Sequence, residues 1–474
     1  MSIISRAFTT AATAAAAGPF RLAIVGSGPA GFYTAHRLLK EWPNTQIDMF
    51  DSLPVPHGLV RFGVAPDHPE VKNVMTTFDK VAEDERFRFL GNVPVGTNSS
   101  KSLSIKDLQN HFDAVLLSYG ASEDRKMGIP GEDTFGVESA RSFVGWYNGH
   151  PYYRDLKLAL DDTETAVVVG QGNVALDIAR ILLSPIDVLR KTDITEYALE
   201  ALSKSRVKHV HVVGRRGPVQ VSFTSKELRE QMSLPGVEFK ADMDFIKRAI
   251  AESQPFISKN RPLKRLMGLL EKGSPTQHAD KSWTAQFLRS PVEILAQNDR
   301  VSGIRYEINR LEGPLEKRRA VGTGEFESQE CGMVFTSIGY KSVPIKGVPF
   351  DHRQGRVPNT YGKIVDKDDN ELAGMYTAGW LKRGPTGVIV STMTDAYETA
   401  DTIVDDLKNG KDMLSSSEAG ADIDELLKER GIQPVSYQDW KQIEAAEFAV
   451  GGKLGKPREK FSRIQDMLAV LGRS

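Results

Sequence analysis

Two glycine-rich turns hold the residues whose types and spacing could do chemistry. Gly26, Gly28 and Gly31 have the order GxGxxG, and Gly170, Gly172 and Ala175 repeat it with alanine in the last place. In such a turn the first glycine permits a tight bend and the second lets backbone approach a pyrophosphate. The third lets helix and strand pack closely, and the helix behind supplies amides and a partial positive charge. The charge placed beyond each turn differs in sign. Asp51 stands 20 residues after Gly31, about where a carboxylate reaches ribose hydroxyls. After the second turn the corresponding place, behind strand Val207–Val213, is taken by Arg215 and Arg216. A guanidinium pair binds a 2′-phosphate that a carboxylate would repel, so the second ligand reads as NADP(H) rather than NAD(H).

The elements around these residues have the order a dinucleotide fold needs. Leu22–Val25 reads as a buried parallel strand, a helical pattern runs from Phe32 to Lys40, and strand Gln46–Phe50 ends at Asp51. A valine strand from Thr165 meets the second turn. Its helix extends to about Leu183, and a mostly helical insertion covers 184–206. Residues 52–74 are rich in proline and glycine with little periodicity, a shaped functional loop rather than a helix or strand. The first nucleotide half ends after strand Ala114–Leu117. Strand Met333–Ile338 and the turn Gly339–Ser342 bring the chain back, and Met375–Trp380, a loop and a helix from Val388 come next. The N-terminus of that helix, near Gly387, can aim amides at the pyrimidine edge of a flavin and stabilise negative charge on the reduced ring. The tail 410–474 reads as polar and helical.

Composition narrows the classes. A chain of 474 residues exceeds what one core usually organises, which points to two domains. With 40% hydrophobic and 26% charged residues it is ordinary for a globular protein, and no apolar run approaches a membrane span. The one cysteine, Cys331, excludes an intramolecular disulfide, a redox CxxC pair and a cysteine metal cluster, and it reads as a buried inert thiol. Nine histidines without metal-ligand spacing predict no metal site. Across 201–270 there are 14 Lys+Arg against 6 Asp+Glu, a local balance of +8 in a chain of net charge −1. That polarity suggests an acidic partner docking on Arg229, Arg261, Lys264 and Arg265. A solvated helix face is the alternative. Nucleic acid is not expected, since no nucleic-acid motif accompanies the charge. Residues 1–17 carry Arg6, hydroxyl residues and an alanine run, with no acid before Glu41. They have the make-up of a mitochondrial presequence or, alternatively, of a disordered alanine-rich tail.

From about Phe20 to Gly472 the chain resembles the adrenodoxin reductase family, the mitochondrial ferredoxin–NADP reductases. The resemblance rests on blocks longer than nucleotide fingerprints: PVPHGLVRFGVAPDHPEVKNV, FVGWYNG, GQGNVALDIARILLSP, KTDITEYAL, VVGRRGPVQVSFTSKELRE, SIGYKS, WLKRGPTGVI, STMTDA and GKPREK. It implies an α/β fold of two Rossmann-like dinucleotide-binding domains, the NADP domain inserted in the FAD domain. The FAD domain would take residues 18–122 and 346–474, and the NADP domain 123–345. It places FAD against Ala30, Asp51, Leu59, Val95, Trp380 and Gly387, Val388 and Ile389. NADP(H) would meet Gln171, Gly172, Asn173, Val174, Arg215, Arg216 and Glu227. The family commonly has Glu where this chain has Asp51, which leaves the ribose contact open. A His–Asp pair near the flavin falls on His68 and Asp177, either catalytic or merely orienting the loop on its helix. The implied activity is hydride transfer from NADPH to FAD, then single electrons to an acidic mitochondrial [2Fe–2S] ferredoxin. That ferredoxin would serve cytochromes P450 or iron–sulfur and haem biosynthesis, on the matrix side, with peripheral inner-membrane contact left open. Nothing demands more than a monomer. A thioredoxin-reductase-type enzyme is excluded by the single cysteine. A flavin monooxygenase, an electron-input subunit like that of glutamate synthase, and an NADP-binding scaffold without turnover are the competing readings.

Overall fold

The computed structural model describes residues 18–414 and 422–473; the expected presequence, 1–17, lies outside them. Two sets of strands buried on both faces organise the chain. In the first, Leu22 and Ile24 enter one apolar cluster with Phe32 and Ala35, while Ala23 and Val25 enter another with Val115 and Leu117. Successive side chains of a strand point to opposite faces, so a sheet so patterned is covered on both sides. Helices Pro29–Glu41 and Ile389–Lys408 cover one face and helix Ile105–His111 packs on the other.

The first sheet has seven strands, in the spatial order Asn359–Thr360, Lys363–Val365, Glu371–Thr377, Ala114–Leu117, Phe20–Val25, Thr45–Phe50, Phe87–Leu90. The last five are mutually parallel and the first two pair antiparallel. The second sheet has six parallel strands, in the order Val137–Ser139, Met333–Thr336, Thr165–Val169, His209–Val213, Lys281–Gln286, Val237–Lys240. One of its faces is covered by helices such as Asn173–Leu183 and Arg261–Lys272. The other meets a three-stranded antiparallel sheet, 289–330, through Ile294, Ile304 and Tyr306. Glu123–Asp124 and Tyr340–Lys341 pair antiparallel where the chain passes between the two sheets.

Several expectations shift. Residues 52–74 contain a short helix, Leu59–Phe62, and a 3-10 helix, Pro69–Val74; Pro69 pre-sets the backbone angle for the latter. The late strand ends at Thr377, and Trp380 opens a helical turn instead of closing the strand. Gly379 makes that bend in the left-handed region (φ 72°), with its N–H donated to Asp395 Oδ2 at 2.6 Å. The polar tail is partly interior. Trp440, Ile443, Met467 and Leu468 pack on Leu53, Val55 and Phe62, and Lys456, Arg458 and Lys460 are all buried. Cys331 is buried, which pushes its thiol up to about 12.

Candidate nucleotide sites

Both glycine turns lie where their sheet changes direction. In the first sheet the chain runs outward from Phe20–Val25 and then returns to Ala114–Leu117 on the other side of it; Thr165–Val169 and Met333–Thr336 stand likewise in the second. The carboxyl ends of strands at such a point form the crevice that binds nucleotides. A Cβ on Gly26 (φ 105°) would lie 2.7 Å from Ser118 O and Tyr119 N, just past the neighbouring strand. A Cβ on Gly170 (φ 127°) would strike Ser337 O in the same relation. A Cβ on Gly31 would run into the Gly26 carbonyl, so helix and strand could not keep their spacing. By contrast Gly28 and Gly172, the residues capping helices Pro29–Glu41 and Asn173–Leu183, have nothing within 4 Å of such a Cβ. That is open space for a pyrophosphate over uncapped amides.

In the first crevice Asp51 sits at the strand end as expected, and its carboxylate holds the turn. Oδ2 accepts from Ser27 N (2.9 Å) and Ser27 Oγ (2.6 Å), and Oδ1 accepts from Leu53 N (2.9 Å). Burial raises the Asp51 pKa against those hydrogen bonds. Gly58 approaches Gly28, and a Cβ on Gly379 would lie 2.6 Å from Ala30 Cβ, so the walls close on the cradle. Trp380 stacks on Tyr340, ring centroids 5.6 Å apart. Val95 is half-buried beside its bridge partner Leu103. Leu59 is exposed; Gly387 (φ 84°) and Val388 lead into helix Ile389–Lys408, whose first turn has no side-chain cap, with Val388 57% and Val390 66% exposed. Bare apolar side chains and free amides at one crevice suit a flat ring with a polar edge, so these residues fit FAD.

The second crevice is built for charge. Arg215 and Arg216 are exposed, and neither guanidinium has a partner among the described residues. Their backbone is pinned: Asn309 Nδ2 donates to Arg215 O (3.0 Å), Leu288 N to Arg216 O (3.1 Å) and Arg289 N to Gly214 O (3.1 Å). Gln171 Nε2 donates to Gln286 O (2.9 Å), and Asn173 Oδ1 accepts from Thr224 N (2.8 Å). Val174 is half-buried, and Glu227 faces Thr224 Oγ1 in the first turn of helix Ser225–Met232. Oriented turns, open amides and two unpaired guanidiniums fit NADP(H).

Residues 20–254 match the family described as pyridine nucleotide-disulphide oxidoreductase. The chain is 50% identical to the mitochondrial NADPH:adrenodoxin oxidoreductase of Salvelinus fontinalis, over 95% of this chain and 91% of that protein. It is 48% identical to the mitochondrial NADPH:adrenodoxin oxidoreductase of Homo sapiens, over 95% and 92%. Among solved structures, Mycobacterium tuberculosis FprA in complex with NADPH superposes with a TM-score of 0.87 at 38% identity, covering 95% of this chain and 99% of that one. The chain belongs to the NADPH:adrenodoxin oxidoreductase family. It is an α/β flavoprotein oxidoreductase with two Rossmann-like nucleotide units, binding FAD and NADP(H).

One pairing carried over from the family is not made in this arrangement. His68 Nε2 lies 2.7 Å from Glu230 Oε2 and makes no hydrogen bond to Asp177, though it stands near enough to lower the Asp177 pKa. Asp177 instead accepts from Arg180 Nη2 (2.8 Å), and Arg180 also grips Asp67 through Nε (2.6 Å) and Nη2 (3.0 Å). The physical reason is Arg180 itself: its fork, one turn along the helix from Asp177, meets two carboxylates at once. Burial raises the Asp177 pKa, with Arg180 opposing. Sequence reasoning does not reach Ser27, Arg180, Gln286 and Asn309. Asn309 lies 94 residues from the arginine whose turn it holds, and no local pattern marks such a partner. The expected docking residues Arg229, Arg261, Lys264 and Arg265 are exposed on helices Ser225–Met232 and Arg261–Lys272, without ion-pair partners among the described residues. Neighbouring Leu228, Leu266 and Leu270 face the core. No helix among the described residues is long and apolar enough to cross a membrane.

Proposed function

We propose that this chain takes a hydride from NADPH onto FAD and delivers single electrons to an acidic mitochondrial [2Fe–2S] ferredoxin. The observation that carries the reading is two complete nucleotide cradles in one chain whose lone cysteine is buried. Reducing equivalents collected there have no internal disulfide to reach and must leave to a separate acceptor. FAD, when bound, accepts two electrons as hydride and releases them one at a time, which a nicotinamide cannot do. The chain's own residues align and polarise. Gly172, Asn173 and Val174 offer backbone and amides to the NADP(H) pyrophosphate, and Gln171 orients the turn. Arg215 and Arg216 hold the 2′-phosphate, and Glu227 lines the nicotinamide side. Gly26, Gly28, Ala30 and Gly31 seat the FAD pyrophosphate. Asp51 serves the ribose mainly by fixing Ser27, while Leu59, Val95 and Trp380 wall the ring. The amides at Gly387, Val388 and Ile389 stabilise charge on its pyrimidine edge.

His68 and Asp177 stand in this reading at the contact between the two units, and their role is structural before it is protonic. The pairing of Glu123–Asp124 with Tyr340–Lys341 supports units of 18–122 with 346–474 and of 123–345. The unpaired cations Arg229, Arg261, Lys264 and Arg265 form the ferredoxin-docking face. The protein acts as a monomer in the mitochondrial matrix or at the matrix face of the inner membrane, as the mitochondrial names of its relatives suggest. The test is NADPH-dependent cytochrome c reduction by the purified yellow protein, with and without mitochondrial ferredoxin. A large ferredoxin-dependent rate is expected. NADPH oxidation that ignores ferredoxin and consumes oxygen with a substrate would replace this reading by a monooxygenase.

A further inference from the structure

Six consecutive residues, Asp67 to Lys72, contain four ionisable side chains, and each one meets a hydrogen-bonding partner on the other nucleotide unit. Asp67 takes the two-pronged grip of Arg180. His68 meets Glu230 at 2.7 Å, Glu70 accepts from Lys226 Nζ at 2.6 Å, and Lys72 Nζ donates to both oxygens of Asp193 at 2.6 and 2.7 Å. Along the loop the order is carboxylate, imidazole, carboxylate, ammonium. Across from it stand guanidinium, carboxylate, ammonium, carboxylate. The inner rungs are buried, with the side chains of Arg180 and Lys72 4% and 8% exposed, while Lys226 and Glu70 lie in solvent. Asp193 is shared with Lys460 Nζ (2.9 Å) from the C-terminal segment, so a third stretch of chain is fastened to the same rung.

The helices gripped are the two that carry NADP(H)-binding residues. Arg180 lies on Asn173–Leu183, which begins at the Gly172 cradle, and Lys226 and Glu230 flank Glu227 on Ser225–Met232. The other end of the same loop is tied to the FAD cradle. His57 N donates to Ser27 O at 3.0 Å, and Gly58 approaches Gly28. One short loop therefore touches the flavin cradle at one end and holds both nicotinamide-side helices at the other. The order of signs also selects a register, because a slip of two residues would set Glu70 against Glu230 and Lys72 against Lys226. We infer that Asp67, Glu70, Lys72 and their partners Arg180, Lys226 and Asp193 are positioning residues that fix the distance and angle at which the nicotinamide meets the flavin. This inference rests on the hydride-transfer half of the proposed function.

Hydride transfer needs near-contact geometry, and a displacement of about 1 Å can cost about 100-fold in rate. The test is anaerobic stopped-flow reduction of the bound FAD by NADPH in the full-length, flavin-loaded protein, read as a limiting rate and a half-saturating NADPH concentration. Asp67→Asn should lower the limiting rate about 10- to 100-fold, with half-saturation moved less than about 3-fold. The exposed rung supplies a second variant set that does not depend on a buried carboxylate. Glu70→Lys and Lys226→Glu should each slow reduction, and the two together should recover it to within about 3-fold, because the pair is restored with its signs exchanged. A limiting rate unchanged in Asp67→Asn, or a doubly exchanged protein as slow as the single variants, overturns the inference. Flavin reduction is read without ferredoxin, so failure of the ferredoxin reading would appear in the cytochrome c assay and leave this measurement intact.

Discussion

Removing the Arg215 guanidinium tests cofactor choice at its physical source. The side chain is exposed and unpaired among the described residues, while its carbonyl is held independently by Asn309 Nδ2 at 3.0 Å. Arg215→Ala therefore leaves the turn in place and deletes charge alone. A charge-assisted hydrogen bond is worth about 1.5–3 kcal/mol. Exposure, with screening over about 8 Å at physiological salt, reduces that to about 1–2 kcal/mol. Since 1.4 kcal/mol is about a factor of ten, KM for NADPH should rise about 5- to 30-fold. NADH has no 2′-phosphate, so its KM should move less than about 2-fold under the same logic. Arg215→Ala with Arg216→Ala should widen the loss for NADPH further and still leave NADH nearly unmoved. The assay is steady-state ferricyanide reduction with each nucleotide. Equal shifts for NADPH and NADH, or no shift at all, would refute the assignment of these arginines to the phosphate.

Three further outcomes are expected. Arg261→Glu with Arg265→Glu should cut ferredoxin-dependent cytochrome c reduction about 10-fold at low salt while ferricyanide reduction persists; parallel loss of both activities would remove the docking assignment. Glu447 is fully buried and accepts from Arg61, Arg458 and Phe461 N. Arg458 keeps Glu444 at 2.8 Å, but Glu447→Gln strands the buried Arg61 guanidinium and should cost about 3–5 kcal/mol, read as a lower urea midpoint. A midpoint within error of the parent would show that the Arg61 charge is satisfied otherwise. Burial lifts the Glu138 carboxyl to about 7, against a hydrogen bond from Ser142 Oγ. Between 4.5, its ordinary value, and about 7 the folded protein keeps a proton that the unfolded chain has lost. Stability contributed by this group therefore falls as pH rises through that window. Glu138→Gln should match the parent in Tm at pH 5 and exceed it at pH 8; identical Tm profiles would contradict the shift.

The local sequence determined both cradles. Each glycine's duty depends on neighbours within one strand–turn–helix unit, and a buried parallel strand announces itself as an apolar run. The two dinucleotide units, and the sign change from Asp51 to Arg215 and Arg216 that marks the second ligand as NADP(H), could be read for that reason, while FAD as the first ligand came from the family resemblance. What the tertiary structure alone decided are the partnerships between segments far apart in the chain. Arg180 stands between Asp177 and Asp67, so the expected His68–Asp177 contact gives way to His68–Glu230. Asn309 holds the arginine turn from the central strand of the three-stranded sheet. Lys456, Arg458 and Lys460 look like a solvated polar tail and are instead buried against Asp193, Glu447 and Glu459. A charged side chain carries the same letter whether it faces water or a countercharge. Only the packing of remote segments decides which, because burying an ion is tolerated where its partner arrives from elsewhere in the fold.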